Sequence, residues 1–221
     1  METPAAFFAR SLPFWPDLPE KAREQILQKV IKKTFPQGER LYYGGGECAG
    51  LELVNSGRVR VFITSPSGGE ITLYRLLPQD VCILSASCMI RGLDVEIQME
   101  MEQDSTIYIL PENIFEAMNQ EYPAIKNFTL EMVSSRFSDV MWIMNQLVFS
   151  NTGSRLAQAV LEHGRLAGSD SFPVTHDSLA RDLGTAREVV TRLLKQFQED
   201  GLVTLGRGRI AIKDPARLAK L

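Results

Sequence analysis

Four polar side chains between residues 187 and 192 are of the types that read DNA bases. Arg187, Glu188, Thr191 and Arg192 follow the spacing i, i+1, i+4 and i+5, which places them on one flank of a helix. Arginine suits the O6 and N7 atoms of guanine, and glutamate suits the amino group of cytosine. Because an exposed helix of arginine and glutamate is more often only a solvated surface, the interpretation depends on what positions this helix.

The surrounding residues have the spacing of a helix-turn-helix. Ala180 lies four residues before Gly184, Val190 six residues after it, and Leu193 three residues after Val190. The small alanine lets two helices cross closely, and the glycine takes a left-handed turn conformation. We expect the second helix to begin near Thr185, with the threonine hydroxyl as its cap.

Two further features favour a DNA-binding unit over a three-helix bundle of another kind. Thr175 and Ser178 stand at the start of the first helix, where hydroxyl groups can reach phosphate oxygens. The sequence GLVTLGRGRIAIKD, residues 201–214, predicts two strands joined by a basic turn that contains Arg207. The sequence therefore predicts a winged helix-turn-helix.

Composition and charge place this unit in a larger protein. The 221 residues are enough for two domains, and 44% hydrophobic with 23% charged residues is ordinary for a globular chain. The net charge is −3, but residues 151–221 hold 11 Lys and Arg against 8 Asp and Glu, whereas residues 1–150 hold 13 against 19. The basic part is the one expected to meet a polyanion.

Targeting and redox signals are also informative. The chain has no run of about 18 apolar residues, as a membrane helix needs, and no secretory signal at its N-terminus. Its three cysteines are an odd number and too few for a disulfide scaffold. We expect a reduced, cytoplasmic protein with no membrane partner.

Residues 32–109 predict a β domain, preceded by a helix within residues 16–30. Short runs rich in β-branched residues alternate with turns at a spacing typical of a sandwich or barrel. Val59, Val61 and Ile63 alternate with Arg58, Arg60 and Phe62, as in a half-buried strand. Residues 95–101 alternate similarly, which predicts that the polar residues Glu96, Gln98, Glu100 and Glu102 face water.

The periodicity becomes helical after Pro111, and Tyr122-Pro123 separates a short helix from a long one. The long helix has a seam of apolar residues alternately three and four apart: Leu130, Val133, Phe137, Val140, Met144 and Leu147. The seam fits a helix lying on the sheet or one paired with a second copy. Additional apolar residues outside the seam favour the pair, because such a helix needs cover on more than one side. Asn151 is then predicted to cap the next helix.

This order of elements resembles the CRP/FNR family of bacterial transcription regulators from about Trp15 to Lys213. In the β domain the resemblance rests on residues 35–81, where Gly57, Gly69, Glu70 and the Leu77-Pro78-x-Asp80 turn fall at the family's positions. It implies an α+β protein of two domains. An antiparallel β-roll, jelly-roll or cupin-like, is expected at residues 1–122, a long dimerisation helix at 123–150 and the winged helix-turn-helix at 151–221.

The resemblance also implies partners and roles. The expected partners are double-stranded DNA with a pseudo-palindromic operator, a second copy of the chain along the seam, RNA polymerase, and a small-molecule effector in the roll. Arg187, Glu188 and Arg192 match the family's Arg-Glu-x-x-x-Arg recognition motif. Thr191 is similar to the hydroxyl position of the FNR branch, so the base preference stays open.

The effector segment departs from the family pattern. The cyclic-nucleotide cassette of the family resembles Gly-Glu-Leu followed by Arg-Ser or Arg-Thr, but this chain has Ile83-Leu84-Ser85 and then Asp94-Val95. A carboxylate at Asp94 would repel a cyclic phosphate, so cyclic AMP is not expected. An iron–sulfur centre is not expected either, because no cysteine precedes Cys48 and three thiolates are too few.

Cys82 and Cys88 lie where the family's roll holds its effector, and three interpretations stay open. They pack in the core, they form a redox pair, or Cys82 binds haem as a thiolate. A histidine-ligated haem is not supported, since both histidines lie in the C-terminal part. Ser85, Ser87 and Arg91 offer a site for an anionic small molecule instead. The cofactor and effector are therefore unknown.

The sequence favours a transcription regulator and not an enzyme. The alternative is a cupin-like ligand-binding protein or enzyme whose winged helix serves protein contact. A cupin metal site needs histidines in the roll, and residues 1–150 contain none.

Overall fold

The structure is a computed structural model that describes residues 3–43, 50–82 and 97–221. Backbone contacts divide the chain into two units, one of Met1–Ile63 with Leu73–Val140 and one of Thr64–Thr72 with Met141–Leu221. Each unit has its own apolar core. The functional boundaries after residues 122 and 150 stay a prediction. Within the described ranges, no helix has the length and apolar character that crossing a membrane requires.

The first unit combines helices with two sheets, which confirms the predicted antiparallel β domain. The elements up to Phe149 are α1 (Pro4–Ser11), a 3₁₀ turn (Trp15–Asp17), α2 (Glu20–Lys29), β1 (Ile31–Phe35), β2 (Arg40–Tyr43), β3 (Leu51–Ser56), β4 (Val59–Thr64), β5 (Glu70–Leu76), β6 (Val81–Cys82), β7 (Ile97–Met101), β8 (Ser105–Leu110), α3 (Glu112–Glu121) and α4 (Pro123–Phe149). Of these, β4, β5 and α4 each include residues of both units. The strand orders are β1-β8-β3-β6 and β2-β7-β4-β5.

The core of this unit takes alternate residues from the strands. Ile97, Met99 and Met101 of β7 are buried, whereas the intervening Gln98 and Glu100 are half-buried. The prediction that Gln98, Glu100 and Glu102 face open water is wrong, because all three are half-buried. The Glu100 carboxylate accepts hydrogen bonds from Arg60 at 2.8 Å and Arg40 at 3.1 Å.

Strand β4 is buried on both sides, so the prediction of a half-buried strand is wrong. Arg60 is 3% exposed and Phe62 is fully buried. The Arg60 guanidinium lies 4.0 Å from the centre of the Phe62 ring, and that of Arg40 lies 5.2 Å from it. These cation–π contacts and the ion pair with Glu100 let a charged side chain occupy a covered face.

Two turns in the first unit fix the strand connections. Gly57 has φ +93°, and a side chain there would bring a Cβ within 2.6 Å of the Asp104 carbonyl oxygen. After β5, the Leu77 N–H donates to the Asp80 carboxylate at 2.8 Å, which closes the predicted Leu77-Pro78-x-Asp80 turn. Glycine is required at position 57 by its left-handed backbone and by the close approach of Asp104 and of the start of β8.

The helices after β8 begin where proline predicts them. Pro111 precedes α3, and Pro123 is the first residue of the 27-residue α4. The start of α4 packs on the core of the first unit through Ile125 and Phe128.

The second unit is a small α/β unit that continues α4. Its further elements are α5 (Thr152–Ala167), β9 (Ser171–Pro173), α6 (His176–Leu183), α7 (Arg187–Glu199), β10 (Val203–Gly206), β11 (Arg209–Ile212) and α8 (Pro215–Leu218). Helix α5 begins as predicted, because the Asn151 side chain accepts a hydrogen bond from the Ser154 N–H at 2.9 Å. The three strands form an antiparallel sheet in the order β10-β11-β9.

Candidate nucleic-acid interface

Helices α6 and α7 form the predicted helix-turn-helix. Gly184 ends α6 in the left-handed conformation, with φ +63°. Ala180 is 6% exposed at the crossing, and Val190 is fully buried. Leu194 is the fully buried leucine of α7, whereas Leu193 is only partly buried. A one-residue difference is expected because 3.6 residues per turn let two neighbouring positions share the inner side.

The expected cap at Thr185 is wrong. Helix α7 begins at Arg187, and Ala186 precedes it without a side-chain cap. The Thr185 N–H donates instead to the Ala180 carbonyl oxygen at 3.0 Å. Thr185 therefore belongs to the turn that closes α6, and the interhelical connection is one residue longer than the sequence suggested.

The outer side of α7 presents the four polar residues identified from their spacing. Arg187, Glu188 and Arg192 are exposed, and Thr191 is half-buried. They line a shallow hollow together with three residues of the following turns: Lys195, Gln196 and Glu199. Lys195 stands four residues after Thr191, so helical spacing alone places it on the same outer side.

The start of α6 carries two hydroxyl groups that are already used in capping. Thr175 Oγ1 accepts from the Ser178 N–H at 3.0 Å, and Ser178 Oγ donates to the Thr175 carbonyl at 2.9 Å. A hydroxyl has one proton and two lone pairs. Thr175 keeps its proton for an outside acceptor such as a phosphate oxygen, whereas Ser178 must turn its hydroxyl to offer one.

The wing is present and is one strand larger than predicted. Strands β10 and β11 pair through four residues each, with Gly208 at φ +67° in their turn. Arg207 is exposed at this turn. Arg209 donates instead to the Ser171 carbonyl of β9 at 3.0 Å. Of the two turn arginines, Arg207 has no hydrogen-bond or ion-pair partner among the described residues.

Both histidines make hydrogen bonds within the second unit, which sequence reasoning did not foresee. His163 Nε2 lies 2.8 Å from an Asp182 carboxylate oxygen, and its ring stacks on Phe172. His176 Nδ1 lies 2.8 Å from Thr191 Oγ1, so it contacts a predicted base-reading residue directly. Contacts across 15 to 19 residues carry no sequence signal of their own.

Of the predicted effector residues, the structure describes Cys82 alone; Ser85, Ser87, Cys88 and Arg91 lie outside the described residues. Cys82 is fully buried. Its sulfur lies 4.0 Å from the Tyr74 hydroxyl and 4.0 Å from the Met99 sulfur. Among the described residues, no cluster of three or more His, Cys, Asp or Glu side chains is placed to hold a metal ion.

Tyr74 connects Cys82 with the long helix inside the first unit. The Arg136 guanidinium of α4 lies 4.3 Å from the centre of the Tyr74 ring and donates to Asp139 at 2.8 Å. Burial raises the pKa of Tyr74 well above its ordinary value, and the neighbouring Cys82 adds to this shift, so the hydroxyl stays protonated.

The seam of α4 is mostly uncovered. Five of its six residues are exposed by 37% to 65%: Leu130, Phe137, Val140, Met144 and Leu147. Val133 is the exception, since it packs against the core of the first unit. Four apolar residues outside the seam are also exposed: Met141, Trp142, Val148 and Phe149. Exposed apolar residues grouped in this way are typical of an interaction surface.

Comparison with known proteins agrees with these features. Residues 32–122 match the family of cyclic nucleotide-binding domains, and residues 154–221 match the family of Crp-like helix-turn-helix domains. A solved structure from Eubacterium rectale, assigned to the crp/fnr family of transcriptional regulators, is 38% identical with a TM-score of 0.90, covering 96% of this chain and 98% of its own.

Curated relatives extend the comparison. The "Cyclic AMP receptor protein" of Thermus thermophilus is 27% identical over 95% of this chain and 96% of its own. The "Global nitrogen regulator" of Synechococcus elongatus is 24% identical over 85% and 88%. These relatives are transcription regulators, not enzymes. With both of its domains matched in order along nearly its full length, the chain belongs to the CRP/FNR family of transcription regulators.

Proposed function

We propose that this regulator binds a pseudo-palindromic DNA operator as a homodimer and responds to a signal received in the β domain. In this proposal residues 1–122 receive the signal, residues 123–150 form the dimer and residues 151–221 bind DNA. The observation that carries it is the outer side of α7, where Arg187, Glu188 and Arg192 are exposed.

The inner side of α7 serves folding, and its outer side is available for recognition. Val190, Leu194 and Phe197 face the core and are at most 4% exposed. The outer residues do not contribute to that core, so their side chains are free to contact bases in the major groove. Thr175 and Arg207 lie at the first helix and at the wing turn, where they would hold phosphates and fix the position of α7.

The uncovered seam supports the homodimer. A second copy of the chain is the partner that fits the seam, because a two-fold pair brings each seam residue against the same surface of the other copy. Two recognition helices related by this symmetry would then read two half-sites about one helical turn apart.

The contacts of Tyr74 support a signal route from the β domain to the dimer helix. A ligand or an oxidation at Cys82 would move the Tyr74 ring, and with it the guanidinium of Arg136 on α4. The Arg136 Nε is buried and has no hydrogen-bond partner among the described residues, so it can donate to one more acceptor. This free donor supports an organic anion as the signal. A cyclic nucleotide is not expected, since the sequence has Asp94 where the family pattern has its phosphate-binding arginine.

In vitro selection from random DNA duplexes, followed by footprinting, tests the proposal. The protein is expected to enrich a palindrome and protect both half-sites. Arg192→Ala should weaken binding to the selected site by about 5- to 150-fold and leave binding to random duplex nearly unchanged. Arg165→Ala is the matched control, because Arg165 is exposed on α5 and lies outside the proposed interface.

Two results would contradict the proposal in different ways. Selection without any enriched sequence would refute specific DNA binding. An equal loss on both DNAs would show that Arg192 contacts phosphate, which refutes its base-reading role and leaves DNA binding intact.

A further inference from the structure

We infer that His176 determines how Thr191 reads DNA: its Nδ1 accepts the Thr191 hydroxyl proton, so that Thr191 presents only lone pairs to the bases. The inference rests on the proposed function, since it needs α7 in the major groove. The two atoms lie 2.8 Å apart, and they join the first residue of α6 to the outer side of α7.

The hydroxyl of Thr191 is bound differently from comparable hydroxyls of this chain. In α4, Thr129 and Ser138 donate to the carbonyl oxygens of Ile125 and Ser134, four residues earlier. That is the usual arrangement of a hydroxyl within a helix. Thr191 makes no such bond among the described residues, and its Oγ1 lies 2.8 Å from His176 Nδ1 instead.

With the proton of a neutral His176 on Nε2, this bond sets the polarity of the hydroxyl toward DNA. A threonine hydroxyl holds one proton and two lone pairs, and a neutral imidazole has one acceptor nitrogen. With its proton used by Nδ1, Thr191 can accept from N4 of cytosine or N6 of adenine. It can no longer donate to O6 of guanine or O4 of thymine. His176 is therefore a positioning residue that selects an amino group at one base position.

The charged residue that follows His176 in α6 has its own partner. Asp177, the next residue of α6, forms an ion pair with Arg187 at 3.4 Å. Both of these side chains are about 60% exposed, at 59% and 62%, so the pair is solvated and weak. Thr191 is only half-buried, so its side chain is not enclosed by the fold.

Binding to the selected operator and to its single-base variants, measured at pH 8, tests the inference. Thr191→Val should reduce discrimination at one position of each half-site by about threefold to tenfold, as loss of one hydrogen bond does. His176→Ala should reduce discrimination at the same position by a similar factor. The double variant should lose no more than either single variant, because both remove one interaction.

A conservative variant separates positioning from a structural role. The amide oxygen of asparagine reaches about as far as Nδ1, so His176→Asn should restore discrimination while His176→Ala does not. Uniform weakening on all DNAs by His176→Ala would indicate a structural role and overturn the inference. A preference for guanine or thymine at the position would overturn the proposed polarity.

The experiment also distinguishes failure of the inference from failure of the proposed function. If Arg192→Ala changes base preference and Thr191→Val does not, the regulator reads DNA without Thr191 and the inference alone is wrong. If the wild-type protein has no sequence preference, the proposed function is wrong.

Discussion

Replacing Met144 with aspartate is expected to separate dimer formation from folding. Met144 lies in the exposed part of the α4 seam and is 51% exposed in the single chain. An aspartate there stays solvated in the monomer, so the free energy of unfolding should change by less than about 1 kcal/mol. In a paired seam the same carboxylate would be buried without a partner.

The size of the effect follows from the symmetry. Both chains carry the change, and an unpaired charge buried at an interface costs several kcal/mol. Even about 2 kcal/mol from each chain gives about 4 kcal/mol, which raises the dimer Kd about a thousandfold. Operator affinity should fall with it, because two linked half-site contacts become independent.

Sedimentation equilibrium at micromolar concentration, together with urea unfolding, measures both quantities. Asn145→Asp is the matched control, since Asn145 is exposed beside the seam and gains the same charge. Val133→Asp should behave in the opposite way and damage folding, because Val133 packs on the core. If Met144→Asp remains a dimer with normal operator affinity, the seam is not the interface.

The remaining predictions concern stability and signalling. Leu194→Ala should cost about 2–5 kcal/mol in urea unfolding, because Leu194 is fully buried. Gly57→Ala should cost more than about 1 kcal/mol in the same assay, since it strains a left-handed residue against β8. The neutral Tyr74 hydroxyl contributes stability that is present below the ordinary tyrosine pKa of 10.0 and is lost as the pH rises toward the raised pKa. Tyr74→Phe should therefore make the free energy of unfolding fall less steeply above pH 10, and an unchanged slope would contradict this. Calorimetry should detect no binding of cyclic AMP or cyclic GMP at millimolar concentration. Operator affinity should be measured under oxidising and reducing conditions for the wild type and for a Cys82→Ser, Cys88→Ser double variant. If only the wild type responds to the change, the cysteines are the sensor. If the wild type does not respond, they are core residues.

Local patterns were sufficient for much of the fold. Proline positions predicted the starts of α3 and α4, and Asn151 predicted the start of α5. Gly184 predicted the turn between α6 and α7 because a left-handed residue there favours glycine. These features depend on neighbours within a few residues, so a single sequence is enough to predict them.

Contacts between distant residues decided the rest. β4 alternates like a half-buried strand, yet Arg60 and Phe62 are buried because Arg40 and Glu100 come from other strands. The short strand β9 exists because β11 offers it a backbone edge.

At the candidate site, the spacing of residues 187–192 by itself determined which side chains share the outer flank of α7. The hydrogen bond between His176 and Thr191, and the Tyr74 contacts that join Cys82 to Arg136, were decided only by the tertiary structure. Helical periodicity fixes which residues lie on one side of a helix, but the partner of a side chain depends on how separate elements pack.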